Sequence, residues 1–123
     1  MAYPMSDDLD DLTMFGSGDV PVALTSAQRK LSIQERFEAF HEANPWVYRT
    51  LRSLALDLIH KGHHKIGINM LWEVLRWQYK RSTADPNSSF KLNDHYPSRY
   101  ARLLTDREPE LAEAFELRAL RAP

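Results

Sequence analysis

The chain has 123 residues, no cysteine, a formal net charge of −1 and a hydrophobic share of 43%. That is material for one core in one domain, and it excludes disulfides, thiolate metal sites and a thiol nucleophile. No apolar run approaches the ~18–20 residues of a membrane span, and the acidic start lacks the basic and apolar regions of a signal peptide, so a cytoplasmic protein is expected.

The small net charge conceals an asymmetry. Asp7, Asp8, Asp10, Asp11 and Asp19 fall in the first 19 residues, with no Lys or Arg among them. From 45 to 107 eleven Lys and Arg face five Asp and Glu, and the end of the chain turns acidic again. A basic middle between acidic ends is the pattern of an anion-binding face, and equally of ordinary solvated helix faces.

Residues 1–24 read as an acidic, flexible N-terminal tail. Leu9, Leu12, Met14 and Phe15 are interleaved with its acids, as in short partner-binding segments. A single domain is expected over 25–121. Thr25-Ser26-Ala27-Gln28 and Ser32-Ile33-Gln34-Glu35 both have capping-box spacing, and the second opens a helix carrying Ile33, Phe37 and Phe40 on one face. Asn44-Pro45 is a restart: Asn44 can cap, and Pro45 suits a first helical position. Val47, Leu51, Leu54 and Leu58 then make a helical stripe over 45–61, with Gly62 as its stop. His60, His63 and His64 have a spacing that metal ligands can use, but Lys61 and Lys65 repel a cation, so a basic loop is expected and no metal.

Asn69 can cap the next helix, on which Met70, Leu71, Val74, Leu75, Trp77 and Gln78 form a broad apolar face. Trp72 falls at its edge, and both Trp72 and Trp77 are expected in the core. Residues 80–89 read as a polar loop, whose flanks 78–83 and 89–92 can pair as a short β-hairpin. Asn93 or Asp94 can cap a helix over 94–106, with Pro97 in its first turn. Tyr96, Tyr100, Leu103 and Leu104 give it an apolar face; His95, Arg99 and Arg102 line up on another. The chain then closes on a short helix, or a strand, that turns Leu111 and Phe115 inward. The fold class expected is mainly α, compact and loosely helix-turn-helix-like, with that hairpin near 78–92 as an option.

Three functions fit this pattern, of which DNA binding is the one expected and a protein-interaction module its alternative. In the first, the 94–106 helix enters duplex DNA. His95, Ser98, Arg99 and Arg102 would face the bases, where Arg can fork onto guanine, while Lys65, Lys80, Arg81 and Lys91 would hold phosphates. The separation of about fourteen residues before this helix departs from the ~3–4-residue turn of a standard helix-turn-helix. In the second, the chain is a protein-interaction module without catalytic activity, using Trp46, Trp72 or Tyr79 and the acidic tail. In the third it is an enzyme. His41, His60, His63, His64, His95, Glu73 and Asp94 are acid–base candidates, but none has a nucleophile motif or phosphate loop around it, so neither catalysis nor a cofactor is expected.

Phe37-x-x-Phe40-His41-x-x-Asn44-Pro45, Trp72-Glu73-Val74-Leu75-Arg76-Trp77 and Phe90-Lys91-Leu92-Asn93-x-x-Tyr96-x-x-x-Tyr100-Ala101-Arg102 together form an ordered pattern over 37–121. It resembles a family of small bacteriophage and prophage proteins. The resemblance implies a phage-related setting in the bacterial cytoplasm; the basic helix makes duplex DNA the expected partner there, with a protein of the host as the alternative. It transfers no catalytic or binding residue. His41 is expected to cap or brace the Asn44-Pro45 turn.

Overall fold

The computed structural model describes residues 20–83 and 88–117. Among them are four α-helices and no strand: α1 (Ile33–Ala43), α2 (Pro45–His60), α3 (Ile68–Ser82) and α4 (Pro97–Arg107). Short 3₁₀ turns at Gln28–Lys30 and Pro109–Leu111 precede and follow them. The mainly α class therefore holds. The optional hairpin does not, because α3 runs on through its first flank to Ser82 and residues 88–93 are irregular. The tip of that hairpin, 84–87, lies outside the described residues.

Both capping boxes form. Thr25 N donates to Gln28 Oε1 and Gln28 N to Thr25 Oγ1, at 2.9 and 3.1 Å, which fixes the first 3₁₀ turn. Ser32 and Glu35 exchange the same pair of bonds at the start of α1. Pro45 opens α2 as expected. Its far end is a Schellman stop: Gly62 N donates to Ile59 O and His63 N to Leu58 O, with Gly62 at φ +99°. Only glycine takes that backbone conformation without strain.

Asn44 does something other than cap. It is fully buried and its amide is saturated. Oδ1 accepts from Val22 N at 2.7 Å and from Trp46 Nε1 at 3.2 Å; Nδ2 donates to Val22 O at 2.9 Å and Phe40 O at 3.1 Å. The side chain thus grips both backbone groups of a residue twenty-two positions upstream. Residues 22–24, which composition groups with the tail, are bound to the domain at this point, and Ala23 and Leu24 pack on the core.

α2 packs against α1 and α3, α4 against α3, and the Pro109–Leu111 turn against both α2 and α4. Between them lies a core rich in rings. Phe37 meets Tyr100 edge-on at 4.8 Å, Phe40 meets Tyr96 at 4.7 Å, and Trp72 tilts on Tyr100 at 5.9 Å. Phe90, on the irregular segment before α4, touches Phe40, Trp46 and Tyr79. His41 lies parallel to Phe37 and edge-on to Tyr48 and Tyr100. It is part of this aromatic cluster, and its Nδ1 is enclosed without a hydrogen-bond partner among the described residues.

Two polar ties fasten the segment that follows α4. Glu108, after α4, accepts from Tyr48 Oη at 2.7 Å and pairs with Arg52 Nε at 2.8 Å. Those bonds, Arg52's first, hold the Glu108 carboxyl below the usual carboxylate range. Burial, then the Glu108 contact, pushes the Tyr48 phenol up to about 12. Ile66 N donates to Ala114 O at 2.8 Å, so the end of the described chain is bound to the start of α3. Leu111 and Phe115 are buried as expected, though on a 3₁₀ turn and its continuation rather than on a helix.

Candidate protein-interaction surface

The basic stripe predicted on the last helix is not a stripe in the structure. α4 begins at Pro97, so His95 lies in the turn before it; there His95 N donates to Asn93 Oδ1 at 2.8 Å. Arg99 is only 7% exposed. Its Nε donates to Gln34 Oε1 at 2.9 Å and its Nη1 to His95 O at 3.3 Å, so it pins α4 to α1 instead of facing solvent. Arg102 is half-buried and Ser98 exposed.

The four lysines and arginines expected on phosphates belong to different elements. Lys65 sits in the loop before α3 and donates to Glu113 O at 2.8 Å. It shares an open groove of about 870 Å³ with Ser98, but Asp94 and Glu116 line the same groove and oppose an anion there. Lys80 and Arg81 are on the last turns of α3, and Lys91 is on the segment before α4. Short of α4, α3 ends at Ser82, so no tight turn joins the two.

A different surface emerges on α3. This helix has more apolar circumference than the core can cover. Leu71, Trp72, Leu75 and Gln78 are buried, and Tyr79 meets Phe90 at 5.0 Å. Met70, Trp77 and Arg81 recur at spacings of seven and four on the side turned away from the core, a stripe three turns long, with Val74 between them partly buried against the core. Met70 is 52% and Trp77 53% exposed. The core expectation for Trp77 is therefore reversed, while Trp72, at 1%, is inside. Trp46 is buried too, and Tyr79 partly so, which removes the aromatics first expected at a surface and puts Trp77 in their place.

Two further features define the stripe. The Arg81 guanidinium lies 4.9 Å from the centre of the Trp77 ring, a cation–π contact that holds both side chains in place. Arg76, one step round the helix, is tied to Glu73 at 2.6 Å, to Asp94 and to Leu92 O, so it fastens the 88–96 segment to α3 beside the stripe. Single exposed apolar residues need no explanation. Trp, Met and Arg adjacent on one rigid helix are the residue types enriched where proteins bind proteins.

Among the described residues no three His, Asp or Glu side chains are grouped to hold a metal ion, and no helix is long and apolar enough to cross a membrane. Comparison with protein-family models, curated proteins and solved structures finds no match.

Proposed function

We propose that this domain is a protein-interaction module, without catalytic activity of its own, that grips a partner protein through the outer stripe of α3. The observation that carries this reading is the half-exposed Trp77 under Arg81, in line with Met70. Trp77 and Met70 would enter an apolar groove, and Lys80 and Arg81 would face carboxylates on its rim. Trp77 is 53% exposed, so a partner can cover about half of the ~150–250 Å² that a buried aromatic removes from water, the contribution of a central anchor to an interface. The resemblance to small phage proteins makes a bacterial host protein, in the cytoplasm, the expected partner.

Binding of duplex DNA through α4 is the weaker reading, because Arg99 is engaged with Gln34 and His95. One experiment separates the two. A partner captured by the whole chain is identified, purified and titrated against the wild type and Trp77→Ala. The interaction reading expects a loss of at least about tenfold, since hot-spot truncations cost 2 kcal/mol or more. In parallel, the chain is titrated with duplex DNA across a salt series. DNA affinity that falls steeply with salt, drops in Arg102→Glu and ignores Trp77→Ala would return the function to DNA.

A further inference from the structure

A second site lies away from the α3 stripe. A cleft of about 110 Å³ opens between the first 3₁₀ turn, α1 and the segment before α4. Its floor is apolar: Phe40, Phe90 and Tyr96, with ring centres 4.7 to 5.7 Å apart. Its wall is cationic, from Arg29, Arg36 and Lys91, and no carboxylate lines it among the described residues.

The cations are not neutralised by their neighbours in the cleft. Arg29 donates from Nη1 to Leu24 O at 2.9 Å and from Nη2 to Ser26 Oγ at 3.1 Å, both uncharged acceptors. Those bonds, on a turn fixed by the Thr25–Gln28 box, aim the guanidinium without cancelling its charge. Arg36 is carried on α1, and its Nε is enclosed with no acceptor among the described residues. Three positive side chains converging on one cleft beside aromatic rings, with no carboxylate lining it among the described residues, favour an anion there.

We infer that this cleft binds a small carboxylate or phosphate monoester, its charged head against Arg29, Arg36 and Lys91 and a compact apolar stem on Phe40, Phe90 and Tyr96. The volume equals about four waters' share of liquid, which admits one ring or one branched alkyl group and not successive side chains of a peptide. The site is independent of the α3 stripe, and its occupancy does not depend on a protein partner.

The test uses the full chain with phenyl phosphate and benzoate as probes, inorganic phosphate and phenol as controls, followed by calorimetry and by the amide NMR shifts of Lys91 and Asn93. Expected is saturable binding of at least one aryl anion with a dissociation constant below about 1 mM, at least about tenfold tighter than either control. Arg36→Gln should weaken it about tenfold or more, with an unchanged melting temperature as the check on folding. Lys91→Gln, at an exposed position, should weaken it less and in the same direction. Absence of saturable binding overturns the inference. So does binding as tight to phenol as to phenyl phosphate, or binding indifferent to both substitutions.

Discussion

Asn44 has the most to lose of any single side chain. Its amide satisfies Val22 N, Val22 O, Phe40 O and Trp46 Nε1 at once. Asn44→Ala strips Val22 N, Val22 O and Trp46 Nε1 of this side chain, at about 1–3 kcal/mol each where water cannot reach, while Phe40 O keeps the backbone N–H of residue 44. The expected loss is about 3 kcal/mol or more, a fall in melting temperature of at least about 12 °C for a domain of this size. Asn44→Asp is the sharper comparison. It keeps the shape and the acceptor but turns an oxygen toward Val22 O and Phe40 O, so it should also destabilise, measurably by urea denaturation at pH 7. His41 makes a prediction of opposite character. Burial, and secondarily the charge of Arg107, hold its pKa below the ordinary 6.5. Between the lowered value and 6.5 the unfolded chain binds the proton more readily than the folded one. Stability is therefore full above pH 6.5 and is lost as pH falls through the folded value. Since Nδ1 has no partner to orphan, His41→Phe should keep stability at pH 7 within about 1 kcal/mol of wild type. It should also flatten the decline in melting temperature between pH 7 and 5.5. Loss of the Glu108 pairs begins only as pH falls through the ordinary 4.5 and continues below it, outside the interval from pH 7 to 5.5.

At the scale of elements, the bounds of α1 and α2 follow local chemistry and were legible in the sequence, whereas α3 starts at Ile68, ahead of the Asn69 expected to cap it, and α4 at Pro97, beyond the expected caps Asn93 and Asp94. Ser32 with Glu35, Pro45 and Gly62 each act over three or four residues, and each acts where its residue type suggests. Gly62→Ala is expected to cost about 1–2 kcal/mol, because φ +99° is closed to a side chain while the space around it is open. A thermal melt checks this; an unchanged midpoint would mean that the Schellman stop is not what ends α2. The rotation of α3 was not legible. Leu71 and Leu75 fit two stripes, one with Met70, Val74 and Trp77 and one with Trp72 and Tyr79, and periodicity weighs them equally. Packing decides in favour of Trp72, which fills space against Tyr96 and Tyr100. The stripe left over is the one on which the functional reading rests.

Across the whole molecule, much of what escapes the sequence is contact between distant segments. Arg99 lies on the flank of the α4 apolar face, where a residue is exposed or covered according to what packs beside it; here α1 brings Gln34. The cleft under Arg29, Arg36 and Lys91 is assembled from three segments that no local pattern connects. The core was more readable: Phe37, Phe40, Val47, Leu51, Leu71, Leu75, Tyr96 and Tyr100 are buried as their spacing demands. Phe90 joined them from an irregular segment, which helical periodicity does not address.

The grip of Asn44 on Val22 also sets where the chain can be cut. A protein beginning at residue 20 keeps both bonds to the Val22 backbone. Beginning at residue 25 instead, it leaves half of the Asn44 amide facing vacated space and uncovers the side of Phe40 where Ala23 and Leu24 line the cleft. That shorter protein should melt at least about 8 °C lower and be cleaved faster by protease. The minimal folding unit thus starts several residues before the first capping box, at a point marked by an asparagine twenty-two residues further on.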